Sequence, residues 1–165
     1  MSTFINLAFL GVSFVVLAIS GGFATNAAVR VTGIPDWDKN SDLDSAHTYL
    51  SWAAVITWIT VALILVLGIV YIYYTMAKAG NTFTKILIYV FSIVSLIATV
   101  IVGILSAIAA QKIADSNTKS DDSGRTQAIV AAILAIIASV AMVGVFIASL
   151  YLTGKDTKKV KAEKK

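Results

Sequence analysis

Charged residues fall in clusters along this chain, and between the clusters lie four long stretches that contain none. Residues 1–29, 45–77, 86–111 and 126–154 hold no Asp, Glu, Lys or Arg. Each is longer than the ~20 apolar residues a helix needs to cross a hydrocarbon core of ~30 Å. The most strongly marked is residues 50–76, LSWAAVITWITVALILVLGIVYIYYTM, which as a helix covers ~40 Å at ~1.5 Å per residue. Trp52 and Trp58 lie towards one end of it and Tyr71, Tyr73 and Tyr74 at the other. Rings with an apolar body and a polar tip collect at the two membrane surfaces, so these five are expected at the interfaces. The pattern predicts spans over about 4–24, 50–76, 86–110 and 127–152.

The polar stretches supply the connections. The first span follows directly on MST with no basic residue before it, as expected of an uncleaved helix rather than a signal peptide. Gly21 and Gly22 are expected to loosen its end, and residues 25–47, with the chain's single proline at Pro35, read as a polar first loop. Asp44 or Ser45 is placed to cap the second helix. The stretch AKAGNTFTK, with its Gly80-Asn81 turn signal, predicts that the second and third helices are antiparallel neighbours. In QKIADSNTKSDDSGRTQ, Asp121, Asp122 or Ser123 is a candidate cap for the fourth. Residues 155–165, KDTKKVKAEKK, form a basic C-terminal tail. The fold class that follows is an all-α membrane protein, a four-transmembrane-helix bundle running up-down-up-down and built from two hairpins, with residues 1–154 as one domain.

Association of such helices in lipid depends on close van der Waals contact, so small residues mark the contacts. On the third helix Ser95, Thr99, Gly103 and Ala107 recur every four residues, and on the fourth Ala131, Ala135 and Ser139 do the same, with Gly144 and Ala148 beyond them. These two stripes are expected to face each other. Orientation follows from the basic residues. Lys78, Lys85 and the tail lysines lie on one side, and Arg30, Lys39, Lys112, Lys119 and Arg125 on the other. The excess on the first side places both termini in the cytoplasm of the producing cell.

Composition narrows the class. The chain is 58% hydrophobic and 13% charged, against ~25% charged in soluble domains, so a water-soluble globule is excluded. Zero cysteines exclude disulfides and thiol chemistry. The net charge of +4 is concentrated in the tail, where it fits anionic headgroups or an acidic protein better than nucleic acid. Trp37 and the tail residues Lys158, Lys159, Lys161, Lys164 and Lys165 are the candidate partner-docking positions.

Candidate chemistry is sparse. Asp36, Asp38 and Asn40 match the first three alternating ligands of a calcium loop, but Ser41 stands where a sharp turn needs Gly and His47 where a bidentate Glu should close the site. The segment reads as an acidic solvated loop. His47, the only histidine, has no partner in sequence for acid-base work, and the hydroxyls of Ser13, Thr57, Thr60, Ser92, Ser95 and Thr99 have no general base beside them. No Asp, Glu, Lys, Arg or His lies in the four predicted spans, where proton relays and ion-coupled transporters need an ionisable group. The expectation is no catalytic residue, no metal site, no cofactor and no small-molecule substrate. A passive pore lined by Thr57, Thr60, Ser92, Ser95 and Thr99 is the alternative.

Four spans with cytoplasmic termini are shared with tetraspanins, claudins and the MARVEL group, but the loops lack the cysteines of the first two, and no Asn-x-Ser/Thr sequon occurs. In whole-chain plan, four spans, compact cysteine-free loops and the KDTKKVKAEKK tail, the chain resembles small multi-pass inner-membrane or minor capsid proteins of large icosahedral double-stranded DNA viruses of the algal type. That resemblance implies a non-enzymatic structural protein of a virion's internal membrane, with loops or tail gripping capsid proteins. The plan is also similar to accessory subunits of bioenergetic membrane complexes.

Overall fold

The computed structural model describes residues 3–76, 82–116 and 122–163, with residue 3 and residues 152–163 described by their backbone alone. The described residues form four long helices, α1 (Thr3–Thr32), α2 (Ser41–Met76), α3 (Thr82–Asp115) and α4 (Asp122–Glu163), with a single 3-10 turn (Trp37–Lys39) between the first two. Helix α1 packs against α2 and α4, and α3 packs against the same two, which makes a four-cornered bundle. All four helices are long and apolar enough to cross a membrane. The protein is an integral multi-pass membrane bundle.

Its interior and exterior invert the soluble pattern. Large aliphatic side chains such as Ile59, Ile69, Ile97, Ile136 and Val140 face outwards, whereas the interior is rich in Ala, Ser and Thr. Lipid tails are as apolar as Leu, so hydrophobicity does not drive helices together; small residues do, by letting backbones approach. At Gly21 an added Cβ would lie 2.8 Å from Thr57 Cγ2, which shows how closely α1 and α2 approach there.

The helices extend further than the hydropathy pattern predicts. Gly21 and Gly22 do not loosen α1, which continues to Thr32; the close contact with α2 holds it helical. The first loop therefore shrinks from the expected 25–47 to the eight residues between Thr32 and Ser41. The cap of α2 is neither Asp44 nor Ser45 but Asn40, whose Oδ1 accepts from the backbone N–H of Asp42 (3.0 Å) and Leu43 (3.3 Å). Asp36, after Pro35, takes the left-handed conformation (φ 56°) that turns the chain into its single 3-10 turn; an Asp tolerates this because its short polar side chain bonds locally. Helix α4 begins at Asp122 and runs unbroken past the expected span end at 152 into the basic tail, as far as Glu163. Gly80-Asn81, Lys78, Lys119, Asp121, Lys164 and Lys165 lie outside the described residues.

The aromatic rings locate the bilayer along α2. Trp52 and Tyr73 are 60% and 65% exposed, and their separation in sequence corresponds to ~32 Å of helix, close to a ~30 Å hydrocarbon core. Residues 41–51 of α2 therefore stand beyond the layer on one side. On the other, the end of α4 after Tyr151 extends ~18 Å beyond it.

Candidate functional site

Two regions of the bundle concentrate polar groups. The first is internal. Tyr71, expected at the membrane interface, is instead fully buried, since its position on α2 points inwards between the exposed Ile69 and Tyr73. Its hydroxyl accepts a hydrogen bond from Asn6 Nδ2 of α1 (3.0 Å) and lies 3.1 Å from Ser149 Oγ of α4. Ser149 Oγ donates to the carbonyl of Val145 (2.7 Å), so the proton between the two hydroxyls comes from Tyr71. The chain of donors thus runs from Asn6 through Tyr71 and Ser149 to a backbone acceptor, and it ties three helices together. Tyr74 is only partly buried and packs on the same core, whereas Trp58 and Tyr73 remain on the surface.

Further along the interior, Ser139 Oγ lies 3.0 Å from Thr99 Oγ1 and 2.8 Å from the carbonyl of Ala135, linking α4 to α3. Ser20 Oγ donates to the carbonyl of Ala131 (2.8 Å), linking α1 to α4. The hydroxyls proposed for a pore turn mostly onto their own helices: Thr57 donates to Ala53 O, Thr60 to Ile56 O and Thr99 to Leu96 O. Ser92, Ser95 and Ser106 are fully buried, and their hydroxyls make no hydrogen bond with the described residues; Asn6 Oδ1 is in the same condition.

The small-residue positions divide among neighbours. An added Cβ at Gly103 would lie 3.6 Å from Ile136 and 3.7 Å from Ala135, so this part of α3 faces α4. Ser95, Thr99, Ala131, Ala135 and Ala148 are buried and Ser139 is half-buried. Ala107, by contrast, is exposed. A strict four-residue spacing drifts ~40° per step around a helix of 3.6 residues per turn, so the buried line passes to Ser106 and Ala110 instead. Gly144 does not face α3 either: it abuts the ring of Phe9 on α1, with three ring atoms 3.2–3.3 Å from where its Cβ would be.

The second region is the bundle end that carries the short loop. There Ala27, Val31, Ile34, Leu43, Ala46, Leu50, Ala109 and Ile113 form a core of their own beyond the tryptophan level. Lys112 Nζ of α3 binds Asp42 Oδ1 of α2 at 2.8 Å, and Arg30 Nη1 of α1 donates to Ser123 Oγ of α4 at 2.9 Å. Trp37, expected as a docking position, is half-buried on this core with its ring 4.7 Å from that of His47, because the short loop folds it back on the bundle. Of the calcium-like positions, Asp36 pairs with Lys39 (2.6 Å) and Asn40 caps α2. Among the described residues no three metal-capable side chains cluster. Of the tail positions, Lys158, Lys159 and Lys161 lie on the helical extension of α4.

Asn6, Ser149 and Ser20 are the polar groups that hydropathy reading passes over. Asn6 carried a signal, since it is the only carboxamide within residues 4–24. Comparison with protein-family models, with curated proteins and with solved structures gives no match for this chain.

Proposed function

We propose that this protein is a non-enzymatic structural component that anchors a larger assembly to its membrane. The observation that carries the reading is the mismatch between bundle and bilayer. Helices α2 and α4 are 36 and 42 residues long, ~54 and ~63 Å, against a hydrocarbon core of ~30 Å. The surplus is helical: one end is a packed, charged platform linked by Lys112–Asp42 and Arg30–Ser123, the other a basic helix continuous with α4. Helical polar ends on an apolar bundle suit docking to other proteins, because a segment already helical loses less conformational freedom when it binds.

The most specific setting for this role is the internal membrane of an icosahedral virion, with the protein as a minor capsid component; the support for it is the whole-chain plan alone. An accessory place in a bioenergetic membrane complex fits the same geometry. The test is crosslinking mass spectrometry through the tail lysines on the assembly gently purified from its native source. Crosslinks to capsid or other complex subunits are expected, and a homogeneous oligomer of this chain alone would overturn the reading.

A further inference from the structure

We propose that the interior of the bundle binds water at Ser92 and Ser95, in the stretch between the Thr99–Ser139 pair and the Asn6–Tyr71–Ser149 network. Both serines are fully buried, and neither Oγ has a hydrogen-bond partner among the described residues. Other buried serines of this bundle turn the hydroxyl onto the carbonyl four residues earlier, Ser13 to Phe9 and Ser149 to Val145, whereas these two do not. A hydroxyl withdrawn from water and left unbonded is costly, and proteins meet that cost with ordered internal water that makes two to four hydrogen bonds.

Position supports a shared site. Ser95 and Ser92 stand about 6 and 11 Å before Thr99 along α3, towards its Thr82 end. Ser149 lies about 15 Å beyond Ser139 along antiparallel α4, in the same direction. The two serines therefore occupy the interval between the two hydrogen-bonded groups. Asn6 Oδ1, also buried and unpartnered, sits where that interval ends, on the residue that donates to Tyr71. Water fits the site's chemistry. An ion would need a charged or multiply coordinating partner, and residues 86–111 contain no charge. A lipid chain would need exposure, which Ser92 and Ser95 lack. Water accepts from the serine hydroxyls, donates to Asn6 Oδ1 and joins two local networks into one polar track within the membrane.

The test uses the full chain in lipid nanodiscs, irradiated with short X-ray pulses in H₂¹⁸O, so that radicals form where water is bound. Met142 is the reporter. It is fully buried on α4, three residues past Ser139, and so lies level with the Ser95 region of α3. We expect ¹⁸O incorporation at Met142 above the unirradiated background, and loss of that signal in the Ser92→Ala/Ser95→Ala variant while exposed Met76 still labels. If the double variant does not fold, Ser95→Ala alone is read in the same way. Absence of label at Met142 in the unaltered protein, or label that persists when the serines are removed, would overturn the proposal.

Discussion

The hydroxyl of Tyr71 is the group whose removal best tests how this bundle is held together. Tyr71→Phe keeps the ring and its packing and deletes one oxygen, which is bonded to Asn6 at 3.0 Å and to Ser149 at 3.1 Å. Hydrogen bonds between membrane helices average ~0.6 kcal/mol and reach ~1.7, so two lost bonds remove ~1–3 kcal/mol. The upper part of that range is favoured by what remains. Ser149 keeps Val145 as acceptor, but Asn6 Nδ2 loses its bond to Tyr71 and has no other partner among the described residues. A buried amide N–H left without a partner costs its full desolvation. Tyr73→Phe, on an exposed ring of the same helix, should change stability by less than ~0.5 kcal/mol. The assay is reversible unfolding in mixed micelles titrated with SDS, followed by helical circular dichroism. Adding Asn6→Leu to Tyr71→Phe should recover part of the loss, since an apolar pair replaces a broken polar one. If Tyr71→Phe is no more destabilising than Tyr73→Phe, the network does not hold the helices and the reasoning fails.

Three further outcomes follow from the geometry. Gly21→Ala should destabilise the bundle by ~1–3 kcal/mol, because its Cβ meets Thr57 at 2.8 Å, whereas Gly103→Ala, at 3.6–3.8 Å from its neighbours, should be neutral or stabilise by up to ~1 kcal/mol through helix propensity; the same SDS titration compares them. Asn40→Ala should cost ~1 kcal/mol through loss of the α2 cap, and Asp44→Ala much less, with thermal unfolding in detergent as the measure. Because the chain has no native cysteine, single variants report topology directly: with the termini cytoplasmic, as the basic residues predict, Met76→Cys should be protected from a membrane-impermeant maleimide in intact cells and Asp38→Cys modified, and the opposite pattern would overturn that expectation.

Much of the architecture is legible in hydropathy alone, since charge exclusion from lipid is the strongest constraint on such a chain. The four charge-free windows mark α1 to α4, and the small residues around Gly103, Thr99 and Ser139 mark a contact between α3 and α4. Helix ends are not legible in the same way, because hydropathy reports where lipid stops and not where hydrogen bonding stops. The helices continue into water for as long as packing supports them, which is why Arg30, Asp42 and Lys112 are helical and Asn40, not Asp44, carries the cap. Facing is also lost in a window that is apolar all round. Tyr71 looks like its neighbour Tyr73 in sequence, yet one is buried and the other 65% exposed, a difference set by ~200° of rotation over two residues. Gly144 likewise belongs by spacing to the α3-facing stripe and by rotation to Phe9 of α1.

The same rotational argument bears on the choice between anchor and pore. A conducting path needs hydroxyls that present free oxygens along a continuous opening, and a list of Ser and Thr positions within spans does not distinguish that from hydroxyls folded back on their own backbone. Here Thr57, Thr60 and Thr99 donate to carbonyls of their own helices, and apolar side chains such as Leu17, Leu67, Val102 and Val145 are fully buried in the interior. The unpartnered hydroxyls at Ser92, Ser95 and Ser106 are few within this apolar interior, sufficient to hold water but not to replace the hydration shell of an ion. The purified protein reconstituted into liposomes loaded with a potassium- or proton-sensitive dye should therefore show ion leakage no faster than protein-free vesicles. Leakage that rises with protein content and falls when Ser92 and Ser95 are replaced by Leu would turn the interior into a pathway and displace anchoring as the function of the bundle.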